Sequence, residues 1–165
     1  MTIPASGPVT TFLLNQEIGR PATNTLSFAD GTLANLRGTT SHPALASQFL
    51  GKTRFVMFAG TWSVNGTTIG YMNPASYSPS TGSMTPSADG RYSINALTGP
   101  AGGHSSLNLI LYGVLPQSNF TTLRIDGTVY TSASAGYFLG SNTTQWSWAI
   151  NPDFNNGQMY TIYIN

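Results

Sequence analysis

Cysteine is missing from all 165 residues, which excludes a disulfide framework and a thiolate metal site and leaves packing and assembly to hold the fold. Charge is scarce as well. Asp, Glu, Lys and Arg make up 7% of the chain, against about 25% in ordinary soluble domains, so Ser, Thr, Asn and Gly must cover the surface. The six basic residues, Arg20, Arg37, Lys52, Arg54, Arg91 and Arg124, are scattered and the formal net charge is +1. With no basic stripe to neutralise phosphates, nucleic acid is not expected as a partner. Long apolar runs are absent too: the longest, around Leu107 to Leu115, is too short to span a bilayer, and Met1 to Gly7 has neither the basic start nor the apolar run of a signal peptide. The expectation is synthesis in the cytosol without membrane insertion.

Catalytic signatures are equally thin. Of the five acids, Glu17 and Asp30 fall in helical patterns, Asp89 and Asp126 precede turn glycines, and Asp153 follows a proline. Each has a structural reason to be where it is, which leaves no free pair of carboxylates for glycoside hydrolysis. His42 and His104 are isolated, and there is no nucleophile elbow, phosphate loop or dinucleotide fingerprint. No catalytic, cofactor-binding or metal-binding residue is expected, and the chain reads as a non-enzyme. The Asn-x-Ser/Thr triplets at Asn65, Asn119 and Asn142 are what a chain rich in Asn and Thr contains by chance.

What is present is β pattern, clearest from Asn119 to Asn165. Phe120 to Ile125 and Thr128 to Thr131 are rich in β-branched and aromatic residues, and Asp126-Gly127 between them suits a two-residue type I′ turn. Trp146, Trp148 and Ile150 alternate with Gln145, Ser147 and Ala149, which puts both indoles on one face of a strand, toward a core. After Pro152 and Asn155-Asn156-Gly157, Tyr160, Ile162 and Ile164 repeat the alternation to the last residues. Upstream, Phe55 to Phe58, Trp62 to Val64, Arg91 to Ile94 and Leu107 to Tyr112 read as further strands, separated by Asn65-Gly66, Asp89-Gly90 and the glycine-rich 99–103. Residues 70–90 carry three prolines and no periodicity and read as a long loop, where Tyr71 and Tyr77 are candidate glycan contacts. The fold class expected is mainly β: an antiparallel β-sandwich over residues 54–165, preceded by short N-terminal helical units in residues 1–53.

Three segments of residues 1–53 begin with an aliphatic residue and end with a glycine beside a basic one: Val9 to Arg20, Leu26 to Gly38 and Leu45 to Lys52. Leu14 and Ile18 have helical spacing before Gly19, Ser27 with Asp30 suits a capping box, and Leu33 and Leu36 share a helix face. Helices this short are marginal alone and need a surface to pack on. That surface is either a partner, in which case Leu13, Leu14, Ile18, Phe28, Leu33, Leu36, Phe49 and Leu50 are docking residues, or the β domain's own core.

The segment Ile3-Pro-Ala-Ser-Gly-Pro-Val9, Glu17-Ile-Gly19, Leu26-Ser27 leading to Leu33-Ala-Asn-Leu-Arg37, and Ala46-Ser-Gln-Phe-Leu-Gly-Lys52 resembles the leader of tail and fibre structural proteins of tailed bacteriophages. Leu123 to Ala133, followed by Gln145-Trp-Ser-Trp148, is similar to β domains carried after such leaders. The resemblance implies a virion structural protein, a tail, baseplate or fibre component whose leader docks on other virion proteins, which forms homo-oligomers and which sits exposed on the particle. The alternatives are a carbohydrate-binding β-sandwich contacting host-surface glycans and a capsid decoration or head-fibre protein. No cofactor is implied.

Overall fold

The computed structural model describes residues 3, 9–21, 23, 25, 31–37, 53–63, 67–99, 106–149 and 154–165. Asp126 and Gly127 take φ values of 46° and 90°, the double positive geometry a type I′ turn requires. They join β7, Thr122–Ile125, to β8, Thr128–Thr131, in antiparallel register with Ile125 opposite Thr128. The Asp126 carboxylate also accepts the Thr161 N–H at 2.7 Å, which fixes the turn to the C-terminal strand.

The remaining strands are β1 (Arg54–Phe58), β2 (Gly60–Ser63), β3 (Thr67–Met72), β4 (Ser83–Thr85), β5 (Ile94–Gly99), β6 (Leu107–Tyr112), β9 (Gly136–Leu139), β10 (Thr143–Trp148) and β11 (Met159–Ile164). They form two antiparallel sheets, ordered β4-β1-β11-β7-β8 and β2-β3-β5-β6-β10-β9. The inward faces of both meet in one core that contains Phe55, Met57, Leu97, Leu109, Leu123, Trp146, Trp148 and Ile162. The expected antiparallel β-sandwich with short N-terminal helices is the observed fold. Both core indoles keep their N–H satisfied, Trp146 donating to the Gln117 carbonyl at 3.1 Å and Trp148 to that of Thr131 at 2.8 Å, so these rings are buried without an orphaned donor.

Two strand assignments change. Arg91 to Ser93 precede the strand instead of forming it: Asp89 Oδ1 accepts the N–H groups of Arg91 at 3.0 Å and Tyr92 at 2.7 Å, a local turn that outcompetes the ladder, and β5 begins at Ile94. Residues 70–90 are not one loop. Gly70 to Met72 complete β3, and Ser83–Thr85 pair with β1 as β4.

The helices are α1, Thr11–Glu17, and α2, Gly31–Arg37. The Thr10 hydroxyl caps α1 by accepting the Leu13 N–H at 3.2 Å, and Gly19, at φ +75°, ends it. Ile3, Leu14, Ile18, Leu33 and Leu36 form a second apolar cluster closed by Tyr163 of β11. Tyr163 lies between Ile162 and Ile164, which face the sandwich core, so β11 is covered on both sides. Polar contacts reinforce the joint: the Arg54 N–H donates to Glu17 Oε1, Arg124 Nη1 to Asn35 Oδ1 at 3.3 Å, and Asn165 Nδ2 to the Asn35 carbonyl at 3.4 Å.

That cluster corrects the docking set. Leu14, Ile18, Leu33 and Leu36 are buried against the chain's own β11, and Leu13 is half-buried; an amphipathic helix presents the same stripe whichever surface covers it, and here the surface is supplied by Tyr163. Phe28, Phe49 and Leu50, the Ser27–Asp30 cap, the third unit and Ile150 lie outside the described residues. No helix among the described residues is long and apolar enough to cross a membrane.

Candidate functional site: a groove on the outer face of the six-stranded sheet

Alternation in the six-stranded sheet sends Leu107, Leu109, Leu111, Trp146 and Trp148 inward, and their neighbours outward. Cross-strand register then sets the outward residues in rows. Gln145, Ile110, Ala96 and Met72 stand side by side across β10, β6, β5 and β3, and Ser147, Asn108, Thr98 and Gly70 make the next row. With Ala96 and Gly70 the floor stays low, and a groove of about 310 Å³ opens above it.

One wall of the groove is aromatic. Trp62 of β2 stands opposite Thr68, and Tyr77 packs edge-on to it, with ring centroids 5.4 Å apart and an interplanar angle of 77°. Tyr77 reaches this position because the 73–82 segment folds back over β2. The Asn73 carbonyl accepts the N–H groups of Ser76 and Tyr77 at 2.9 Å each, Thr81 N–H donates to the Thr61 carbonyl at 3.2 Å, and Ser80 bridges to Trp62. Glycine permits the crossing. A Cβ on Gly60 would lie 2.1 Å from the Gly82 nitrogen, and one on Gly82 would lie 2.3 Å from the Gly70 carbonyl oxygen, so three backbones touch where no side chain fits.

Along the floor the side-chain amides are ordered into a chain. Gln145 Nε2 donates to Asn108 Oδ1 at 3.0 Å, and Asn108 Nδ2 donates to the Ser106 carbonyl and hydroxyl at 3.3 Å each. This fixes the orientation of both amides and leaves Gln145 Oε1 as an acceptor and the second Gln145 N–H as a donor. The Trp62 indole N–H is enclosed and has no hydrogen-bond partner among the described residues, unlike those of Trp146 and Trp148. Burial raises the Tyr77 phenol above its ordinary value, opposed in part by a hydrogen bond from Asn95, so this wall is neutral at physiological pH. Asn95 is the extra residue of a bulge in β5, and its carbonyl accepts the Asn73 N–H at 2.8 Å, tying the 73–82 segment to the sheet.

No charged side chain is among the described residues lining the groove. An aromatic wall beside hydroxyls and oriented amides takes a ligand with an apolar C–H face and a hydroxylated edge. The described carboxylates are elsewhere and occupied: Asp89 and Asp126 hold turns, and Glu17 is buried at the helix joint, where loss of hydration pushes its carboxyl above the ordinary value against the Arg54 N–H bond that lowers it. Asp30, Asp153, His42 and His104 lie outside the described residues. Among the described residues, no His, Asp or Glu cluster has metal-binding geometry.

Of the two expected glycan contacts, the groove contains Tyr77 alone. Tyr71 is a correction: it lies in β3, faces inward and is buried in the sandwich core, because Gly70 and Met72 take the outward positions on either side of it. Asn108 and Gln145 are the groove residues that sequence reasoning missed. The alternation of Leu107 to Tyr112 and of Thr143 to Trp148 carries that signal, since it turns Asn108 and Gln145 to the side opposite the core. No protein-family model, curated protein or solved structure matches this chain.

Proposed function

We propose that this chain is a non-enzymatic attachment protein, a structural component of a tailed-bacteriophage virion whose β-sandwich contacts host-surface glycans through the groove between Trp62, Tyr77 and Gln145. The observation that carries the contact is the combination of an aromatic wall with an oriented, uncharged amide and hydroxyl floor on a sheet face free of helices among the described residues. The virion setting rests on the resemblance of residues 3–52 to phage leaders. The test is binding of the intact chain to host cells and to immobilised surface polysaccharide, beside Trp62→Ala. Binding lost in the variant with an unchanged unfolding temperature supports the reading, and equal binding by both proteins contradicts the groove.

A second observation favours self-association as part of the same role. β9 is an edge strand with Phe138 and Leu139 both more than half exposed, at 58% and 57%, and no charged residue occurs between Gly127 and Ala149. Edge strands of monomers commonly carry a charge or a proline against pairing, and this one has neither. Sedimentation of the intact chain beside Phe138→Lys tests it: an oligomer that dissociates on substitution is the expected result.

A further inference from the structure

We infer that the groove selects uncharged saccharides and recognises a pair of vicinal hydroxyls through Gln145, held in place by Asn108, with one sugar face packed on the Trp62 and Tyr77 wall; the inference rests on the saccharide reading above and names its ligand class. Three features carry it. The described lining has no Arg or Lys to receive a carboxylate or sulfate, and an anion stripped of water without a cation or several donors is strongly disfavoured. Among the described residues, three arginines are engaged away from the groove: Arg54 donates to the Ile18 carbonyl at the end of α1, Arg91 to the Tyr92 hydroxyl at 2.7 Å, and Arg124 to Asn35 at the helix joint. The amide chain is the third. Because Gln145 Nε2 is anchored to Asn108 Oδ1, Gln145 offers one acceptor and one donor side by side, the complement of two adjacent hydroxyls that each donate and accept. A carboxylate, which only accepts, leaves Gln145 Oε1 facing a second acceptor.

The experiment is ligand-observed NMR and calorimetry on the full chain at pH 8, where histidine is neutral, with methyl glycosides of glucose, galactose, mannose and N-acetylglucosamine against the matching uronic acids. At least one neutral glycoside is expected to bind at least about tenfold more tightly than its C6-carboxylate counterpart, with affinity unchanged between low and high salt. Gln145→Leu, which keeps the size and removes both polar atoms, is expected to weaken that binding about tenfold or more while the unfolding temperature stays put. Tighter binding of the uronic acids, or affinity that falls with salt, overturns the class while leaving the saccharide reading intact. Neutral binding untouched by Gln145→Leu overturns the hydroxyl recognition. Silence from every sugar in both classes overturns the inference and the saccharide reading together.

Discussion

The two outer faces of the sandwich are built from the same kind of strand and treated in opposite ways. On the five-stranded sheet, Tyr163 is buried beneath Leu14, Ile18, Leu33 and Leu36, and Asn35 of α2 reaches Arg124 and Asn165 at the end of the sheet. On the six-stranded sheet, Ile110 and Met72 stand among Gln145, Asn108 and Thr98, and among the described residues the 73–82 segment leans over one side. A covered face needs apolar bulk and a few polar anchors at its margin. The groove face instead mixes apolar area with polar atoms whose orientation is fixed, as at Gln145. Helices α1 and α2 are thus part of the folded unit on one side, and the proposed recognition surface belongs to the other.

The most severe way to break this contrast is to remove the cover. Deleting residues 1–53 exposes the Tyr163 side of β11, and the remaining 54–165 is expected to aggregate or to lose most of its cooperative unfolding in light scattering and thermal melts. A soluble fragment with the full-length unfolding temperature would return the leader to a purely docking role. Next in size, Leu33→Ala or Leu36→Ala is expected to cost about 2 to 5 kcal/mol in chemical denaturation, as for any fully buried leucine. If Leu33 and Leu36 instead serve a partner in the particle, the purified chain should tolerate the change.

Replacing Gly82 with Ala strikes the groove side through the backbone. The added Cβ would meet the Gly70 carbonyl oxygen at 2.3 Å, so the 73–82 segment must shift, and a loss of about 1 to 3 kcal/mol is expected together with loss of sugar binding. Tyr77→Ala separates the two effects: half-buried and in contact with Trp62, it should cost about 1 kcal/mol of stability while binding falls further.

The smallest expected effect is electrostatic and lies on the covered side. Burial raises the Glu17 carboxyl above its ordinary value. The folded state therefore favours the protonated form, and this group's contribution is complete below the unfolded pKa and is lost as pH rises through the higher folded one. Glu17→Gln keeps an acceptor for the Arg54 N–H, so it should raise the neutral-pH unfolding temperature slightly and flatten the curve above the ordinary carboxylate range. A variant less stable at neutral pH would mean that the charge itself is needed at the joint.

How legible these faces are in the sequence follows from how local their causes are. The Asp126-Gly127 hairpin and the inward indoles can be read because turn geometry and period-two alternation are properties of adjacent residues. The cover is harder. Leu33 and Leu36 show a helix that needs a surface without saying which, yet Ile162-Tyr163-Ile164 is a continuous apolar run where a half-exposed strand would alternate, and that run marks a strand covered on both sides. The Asp89 turn that delays β5 depends on one side chain bonding two backbone N–H groups, which composition does not reveal. The groove was least legible: Trp62 and Tyr77 are fifteen residues apart by their numbers and meet only because Gly60, Gly70 and Gly82 let three backbones touch. Tyr71, six residues before Tyr77 by the same numbering, reads alike in sequence and ends in the core.

The most direct test of the central claim uses the three tryptophans, since Trp146 and Trp148 are locked in the core by hydrogen bonds and Trp62 stands in the groove. In a titration of the intact, labelled chain with a neutral glycoside, followed through the indole N–H resonances, the account predicts that the Trp62 signal moves saturably, with the Gln145 and Asn108 side-chain amides, while the other two indoles and Asn35 stay fixed. Saturable movement of the Asn35 amide with a still Trp62 would put the ligand on the helix-covered face and contradict the account.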